Sequence, residues 1–297
     1  MPLSSTRYDA VFGSSASPSK LKALKRRRNA WIVLCAALCL LTACVSVQTT
    51  SPGAIGIDRK QRMSTFVTAE EMNRGAITAY TQVLGKAKKD GQLNTDEKLT
   101  RRVRAIANRL IPTVGVFRAD ARSWDWQVNV INSKQLNAWA MPGGKIAFYS
   151  GIINSLKLTD AEIAAIMGHE IAHALREHSR ERASEQATKN MLFTIIGTAI
   201  GAGRSTQVLA EAVVATTLSL PNSRAHETES DRIGVELMAR AGYDPRSAIR
   251  VWQKMAQATG GKSGPEFMST HPSAASRIKD LTNYAQKVMP LYQQASR

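Results

Sequence analysis

Two histidines four residues apart, with a glutamate directly after the first, are the side chains of this 297-residue chain best placed to do chemistry: His169, Glu170 and His173. On one helix the two imidazoles stand a turn apart on the same face, a spacing that suits two ligands of a tetrahedral zinc ion. Glu170 falls off that axis, where a carboxylate can take a proton from a water activated by the metal. The surrounding stretch predicts the helix. Thr159 and Glu162 carry a capping-box signature, and Ala161, Ile163, Ala164, Ala165, Ile166, Ile171, Ala172 and Ala174 leave the segment apolar nearly all round. Such a helix belongs in a core. Burying two imidazoles and a carboxylate there is costly unless something binds them.

A third ligand has to come from elsewhere. Continuation as a metzincin fails, because positions 176 and 179 are Arg and Ser. His178 lies nine residues past His169, about 900° of helical rotation and hence on the opposite face. It reads as a solvated end-of-helix histidine beside Glu177 and Arg180. Downstream, Ser223–Asp231 offers Glu227 and Asp231, four apart on one helix face, with Glu229 pointing away from both. The natural assignment makes Glu227 the third ligand, as a glutamate from a later helix does in gluzincins, and Asp231 the acceptor that fixes a ligand imidazole. Taken alone, the acidic cluster reads equally well as a solvated helix face.

The elements that must hold these residues are legible around them. Thr68 with Glu71 opens a helix to about Lys88, and a second helix follows Asn94–Glu97 and runs to Leu110, where Pro112 stops it. Trp124–Ile131 alternates like a half-buried strand, and residues 137–149 read as a hairpin about Pro142-Gly143-Gly144. After Gly151 the pattern is helical throughout, with helices over 207–218, 224–241, 245–258 and 274–288. The apolar stretch Met191–Ile200 is too short to cross a bilayer and reads as core, or as a lid over the cleft. The expected class is α+β: a mainly helical domain with a small, mostly antiparallel sheet.

His169-Glu170-x-x-His173 combined with Glu227-x-x-x-Asp231 resembles the HtpX and CAAX-prenyl-protease superfamily of zinc endopeptidases, nearest its periplasmic lipoprotein branch. Asn137-Ala138-Trp139-Ala140-Met141, followed by Pro-Gly-Gly, resembles the family's edge strand for extended substrate. Thr270-His271-Pro272 resembles its His-Pro segment, whose histidine can cap the metal at rest; the plainer reading of His271 is a loop histidine. Together these stretches span roughly residues 60–285. Departures are small: Ser230 stands where Ala is usual, and Trp139 replaces Phe. The resemblance implies a zincin-like domain over 67–290 with one Zn²⁺ held by His169, His173 and Glu227. It further implies Glu170 as general base, and endoproteolysis of unfolded or misassembled envelope polypeptides. Arg277, by its place after the His-Pro pair, is the expected oxyanion donor. The rival class is a non-catalytic zinc module serving as chaperone or assembly factor for outer-membrane proteins. A helical-repeat tail, and partner binding through one, are not expected.

The N-terminal region suggests an address. Lys25-Arg-Arg-Arg28 precedes an apolar run that holds all three cysteines, Cys35, Cys39 and Cys44. A basic region, a short apolar region and a small residue before the break read as an export signal over 1–44, the alternative being an uncleaved N-terminal anchor. Leu41-Thr-Ala-Cys44 resembles a bacterial lipobox with Cys44 as the acylated residue. With Val45 after it and not Asp, resemblance to Gram-negative lipoproteins implies the periplasmic face of the outer membrane. Residues 45–66, polar and broken by Gly and Pro, read as a tether. The formal charge is +17; residues 1–44 hold seven Lys/Arg and one Asp, leaving +11 on the rest. That favours anionic headgroups. No nucleic-acid motif accompanies it, and no nucleic-acid partner is expected.

Overall fold

The computed structural model describes Asn29, Trp31 and residues 44–194, 205–259, 266–271 and 275–296. Apart from Asn29 and Trp31, the expected export signal up to Ala43 lies outside the described residues, as do the apolar stretch beyond Thr194 and residues 272–274. The chain groups into Met1–Cys44 and a compact unit Val45–Arg297, which carries everything below.

Strand β1 (Cys44–Val47) and β2 (Gln61–Ser64) form a two-stranded sheet. Helix α1 (Ala69–Lys89) starts at the Thr68/Glu71 capping box, and α2 (Glu97–Leu110) starts where the Asp96 side chain accepts from the Leu99 amide. Strands β3 (Gln127–Ile131), β4 (Ala138–Met141) and β5 (Lys145–Tyr149) form a sheet in the order β3-β5-β4. The hairpin pair β4–β5 is antiparallel, with Ala138 opposite Phe148, whereas β3 runs parallel to β5, with Gln127 opposite Lys145. The sheet is therefore mixed. Gly143 and Gly144 take φ of 73° and 83°, the left-handed region a side chain resists, which is what turns the hairpin.

Helices α3 (Ser150–Ser155), α4 (Asp160–Leu175) and α5 (His178–Thr194) follow. Then come α6 (Thr206–Val214), a π-helical turn Ala215–Ser219, and α7 (Arg224–Arg240). Helices α8 (Ser247–Thr259), α9 (Glu266–Thr270) and α10 (Ala275–Ala295) complete the chain. The main core packs α2, β5, α4 and α7 through Leu110, Phe148, Ile163, Met167, Ile171, Ile233 and Leu237. Among the described residues no helix is long and apolar enough to cross a membrane. The class is α+β and mainly helical, as expected.

Residues 45–66 do not hang free as the expected tether. Ile55, Ile57 and Met63 are buried, and Glu236 accepts from the Ala54 and Ile55 amides at 2.8 and 3.2 Å. Arg59 pairs with Glu181 and Glu229, and Gln61 donates to Glu181 and to the Arg176 carbonyl. The segment is a strap whose polar residues find partners more than a hundred positions away. Local composition, which reads Gly, Pro and hydroxyls as a linker, carries no trace of such pairing.

Candidate metal centre

Helix α4 is held at its start by charge. The Thr159 amide donates to Glu162 at 2.8 Å, the Thr159 hydroxyl accepts from the Glu162 amide, and Lys254 reaches the same carboxylate at 2.7 Å. From Glu162 to Leu175 every residue is buried. His169 and His173 project together, their ring centroids 4.8 Å apart.

Helix α7 brings the third donor. Glu227 places Oε2 3.5 Å from His169 Nε2 and Oε1 3.4 Å from His173 Nε2. His271, just after α9, adds its Nδ1 at 3.1 Å from His169 Nε2 and 3.0 Å from Glu227 Oε1. The two α4 nitrogens are 3.1 Å apart. Around a tetrahedral zinc with bonds of about 2.0–2.2 Å, neighbouring donors are separated by roughly 3.3–3.6 Å. Three imidazole nitrogens and a carboxylate oxygen at these separations, all buried, form a donor set that fits such an ion.

The supports around this set explain its charge states. His169 Nδ1–H donates to Asp231 at 3.0 Å, which leaves Nε2 for the metal. Asp231 is gripped by Arg277 through Nε and Nη2, both at 2.7 Å, while Nη1 lies 2.6 Å from Glu227. Trp252 underlies that guanidinium at 3.8 Å. Burial pulls the His169 imidazole down, but Glu227 and Asp231 outweigh it and bring it up to about 9. His173 is driven well below the usual histidine range, chiefly by burial. Burial pushes Glu227 up, yet His271 and His169 hold it well below the carboxylate range. Glu170 goes the other way. Burial raises it, more than the neighbouring His271 and His169 can offset, and its Oε1 has no hydrogen-bond partner. A buried carboxylate with a raised proton affinity suits a general base.

His178 overturns the expectation of a solvated histidine. It is fully buried, with Nδ1 2.9 Å from His173 Nδ1 and Nε2 3.1 Å from Glu229. The helical extrapolation fails because α4 ends at Leu175 and Glu177 takes φ of 51°; a new helix starts at His178 and returns it to the site. Arg118 holds the break, donating to Glu177 at 2.6 Å and to the Leu175 carbonyl at 3.3 Å. Glu229, turned from Glu227 as expected, is buried among Arg59, Arg176 and His178 instead of facing solvent. The sequence signal for this break was weak: a Glu in a left-handed turn, with no Gly or Pro.

Strand β4 lies at the sheet edge and borders α4, the Ala140 backbone making a hydrogen bond with Glu170. Its residues, with Asn137, are buried, and the π-helical turn Ala215–Ser219 lies against it. The edge is present but covered. Arg277 stands at the site, but its guanidinium already serves two carboxylates.

A His-Glu-x-x-His helix that takes its third donor from a glutamate on a later helix defines a gluzincin-type metallopeptidase. The model of peptidase family M48 matches residues 97–285, more than half of the chain, and the chain belongs to that family. Mitochondrial metalloendopeptidase OMA1 of Saccharomyces cerevisiae is 33% identical over 177 residues, 57% of this chain and 50% of that protein. Its counterpart from Arabidopsis thaliana is 37% identical over 171 residues, 57% of this chain and 34% of that protein. The beta-barrel assembly-enhancing protease of Escherichia coli is 28% identical over 241 residues, 78% of this chain and 47% of that protein. The chain thus spans half or less of the length of each of these relatives.

Proposed function

We propose that the protein is a zinc-dependent endopeptidase that cleaves unfolded or misassembled envelope polypeptides. The observation that carries this reading is the convergence of His169, His173 and Glu227 beside a buried Glu170 of raised proton affinity. Zinc bound there would supply Lewis acidity and an activated water. Glu170 accepts the proton of the attacking water and returns it to the leaving amine as the peptide bond breaks. Arg277 holds Asp231 and Glu227 in place. Its expected part as oxyanion donor comes second to this positioning. Extended substrate adds along β4 by backbone pairing, which a folded chain cannot offer. The covered β4 and the reach of His271 to the donor set support reading this arrangement as a resting one that opens for substrate.

The name of the Escherichia coli relative ties that protein to β-barrel assembly. Carried to this chain, with lipid on Cys44, it supports quality control at the periplasmic face of the outer membrane, next to the assembly machinery. One specific observation favours the rival zinc-binding chaperone: with His271 the donor set counts four protein groups, the closed set of a structural site. Cleavage of casein by the zinc-loaded chain, lost in Glu170→Gln, separates the two. Equal cleavage by both proteins removes Glu170 as the base; no cleavage by the zinc-loaded chain leaves the rival reading standing. Mass spectrometry of the mature N-terminus, in a fractionated cell, tests the lipid and the address.

A further inference from the structure

Behind the proposed metal ligands lies a second group of buried titratable side chains, His178, Glu181 and His226, with donor atoms within 4.8 Å of one another. It is not built to take an ion of its own. Glu181 already accepts two N–H groups from Arg59 and one each from Gln61 and His226. The rings of His178 and His226 are stacked 4.2 Å apart and do not converge on a point. What this group does instead is reach the first one.

His173 turns Nε2 toward Glu227 and His169, so its Nδ1 faces away from them and meets His178 Nδ1 at 2.9 Å. Two ring nitrogens at that distance need one donor and one acceptor. The other nitrogen of His178 settles which is which. Its Nε2 lies 3.1 Å from Glu229, and an ionised carboxylate only accepts. His178 therefore carries its proton on Nε2 and accepts at Nδ1; His173 carries its proton on Nδ1 and keeps the Nε2 lone pair for a metal. Glu229 is fixed in turn by Arg176 Nε at 2.9 Å and by Arg59 from the N-terminal strap.

We propose that His178 is a positioning residue that, with Glu229 behind it, sets the tautomer and ring orientation of His173, as Asp231 and Arg277 are placed to do for His169. This rests on the reading of His173 as a metal ligand. Outer partners of ligand histidines typically contribute about 10–100-fold in metal affinity.

The test is zinc affinity of the full chain by chelator competition, together with long-range ¹H–¹⁵N spectra of the zinc-loaded wild type. His178→Leu should weaken zinc roughly 10–100-fold. His178→Asn, which keeps an acceptor near the Nδ1 position, should recover most of the loss. The spectra should place protons on His178 Nε2 and His173 Nδ1. Wild-type affinity in His178→Leu, equal losses in both variants, or a proton on His178 Nδ1 would each overturn the proposal. Should His178→Leu not fold, the wild-type spectra decide alone. His173→Ala is the control for the underlying reading: if it binds zinc like wild type, His173 is no ligand and both readings fall. If it loses zinc while His178→Leu does not, only the positioning role is lost.

Discussion

Gly168 and Gly234 meet backbone to backbone where α4 crosses α7. A Cβ on Gly234 would stand 2.8 Å from the His169 amide nitrogen, and one on Gly168 would stand 2.9 Å from the Gly234 carbonyl oxygen. This contact lets the helix carrying His169 and the helix carrying Glu227 and Asp231 approach closely enough for their side chains to converge. Gly234→Ala should force the helices apart at a cost of about 1–3 kcal/mol, the usual range for overpacking, and weaken metal binding. Gly85→Ala is the contrast: that exposed helical glycine has nothing within 4 Å of the added carbon, so the change should stabilise by up to about 1 kcal/mol. Thermal unfolding of both variants checks the opposite signs.

The legible parts of the molecule were those written in local pattern. The capping boxes at Thr68 and Thr159, the hairpin about Gly143-Gly144, and the pairing of Glu227 with Asp231 on one face all follow from short-range rules and reappear in the structure. What escaped depended on distant partners. The strap about Arg59 closes onto Glu181 and Glu229, 122 and 170 residues on, and His178 is redirected by a left-handed Glu177 that Arg118 stabilises. The parallel docking of β3 on β5 is likewise a tertiary choice that alternation alone does not reveal.

Glu170→Gln isolates the base from the metal. Glu170 lies outside the proposed ligand set, so the variant and wild type should bind zinc alike, at one ion per chain. Its turnover should fall by roughly 10²–10⁴-fold, the usual contribution of a general base. Metal content by atomic absorption and peptide hydrolysis, measured on one preparation, check this. Chelation of wild type should abolish the same activity, with added zinc restoring it.

His271 is stacked on Phe267, with ring centroids 4.3 Å apart, and presents Nδ1 to the donor set. A fourth protein donor there competes with the water that hydrolysis needs. His271→Ala should therefore raise peptidase activity while weakening zinc several-fold. Activity at or below the wild-type level would speak against a latent state held by this residue. Varied zinc concentration in the assay keeps metal loss from masking a gain.

Glu162 links the start of α4 to pH. Burial raises its pKa, but Lys254 at 2.7 Å and the Thr159 amide outweigh burial and hold it below its ordinary value. A depressed folded-state pKa gives stability that is fully present above the unfolded glutamate value, near about 4.3. That stability is lost as pH falls through the lower folded-state value. Glu162→Gln keeps the shape of the cap and removes the charge, so it should cost about 1 kcal/mol at pH 7, given that Lys254 is partly exposed. By pH 3 the gap between wild type and variant should have narrowed. Denaturant unfolding at both pH values measures it, and an unchanged gap would mean that the carboxylate charge does not hold this end of the helix.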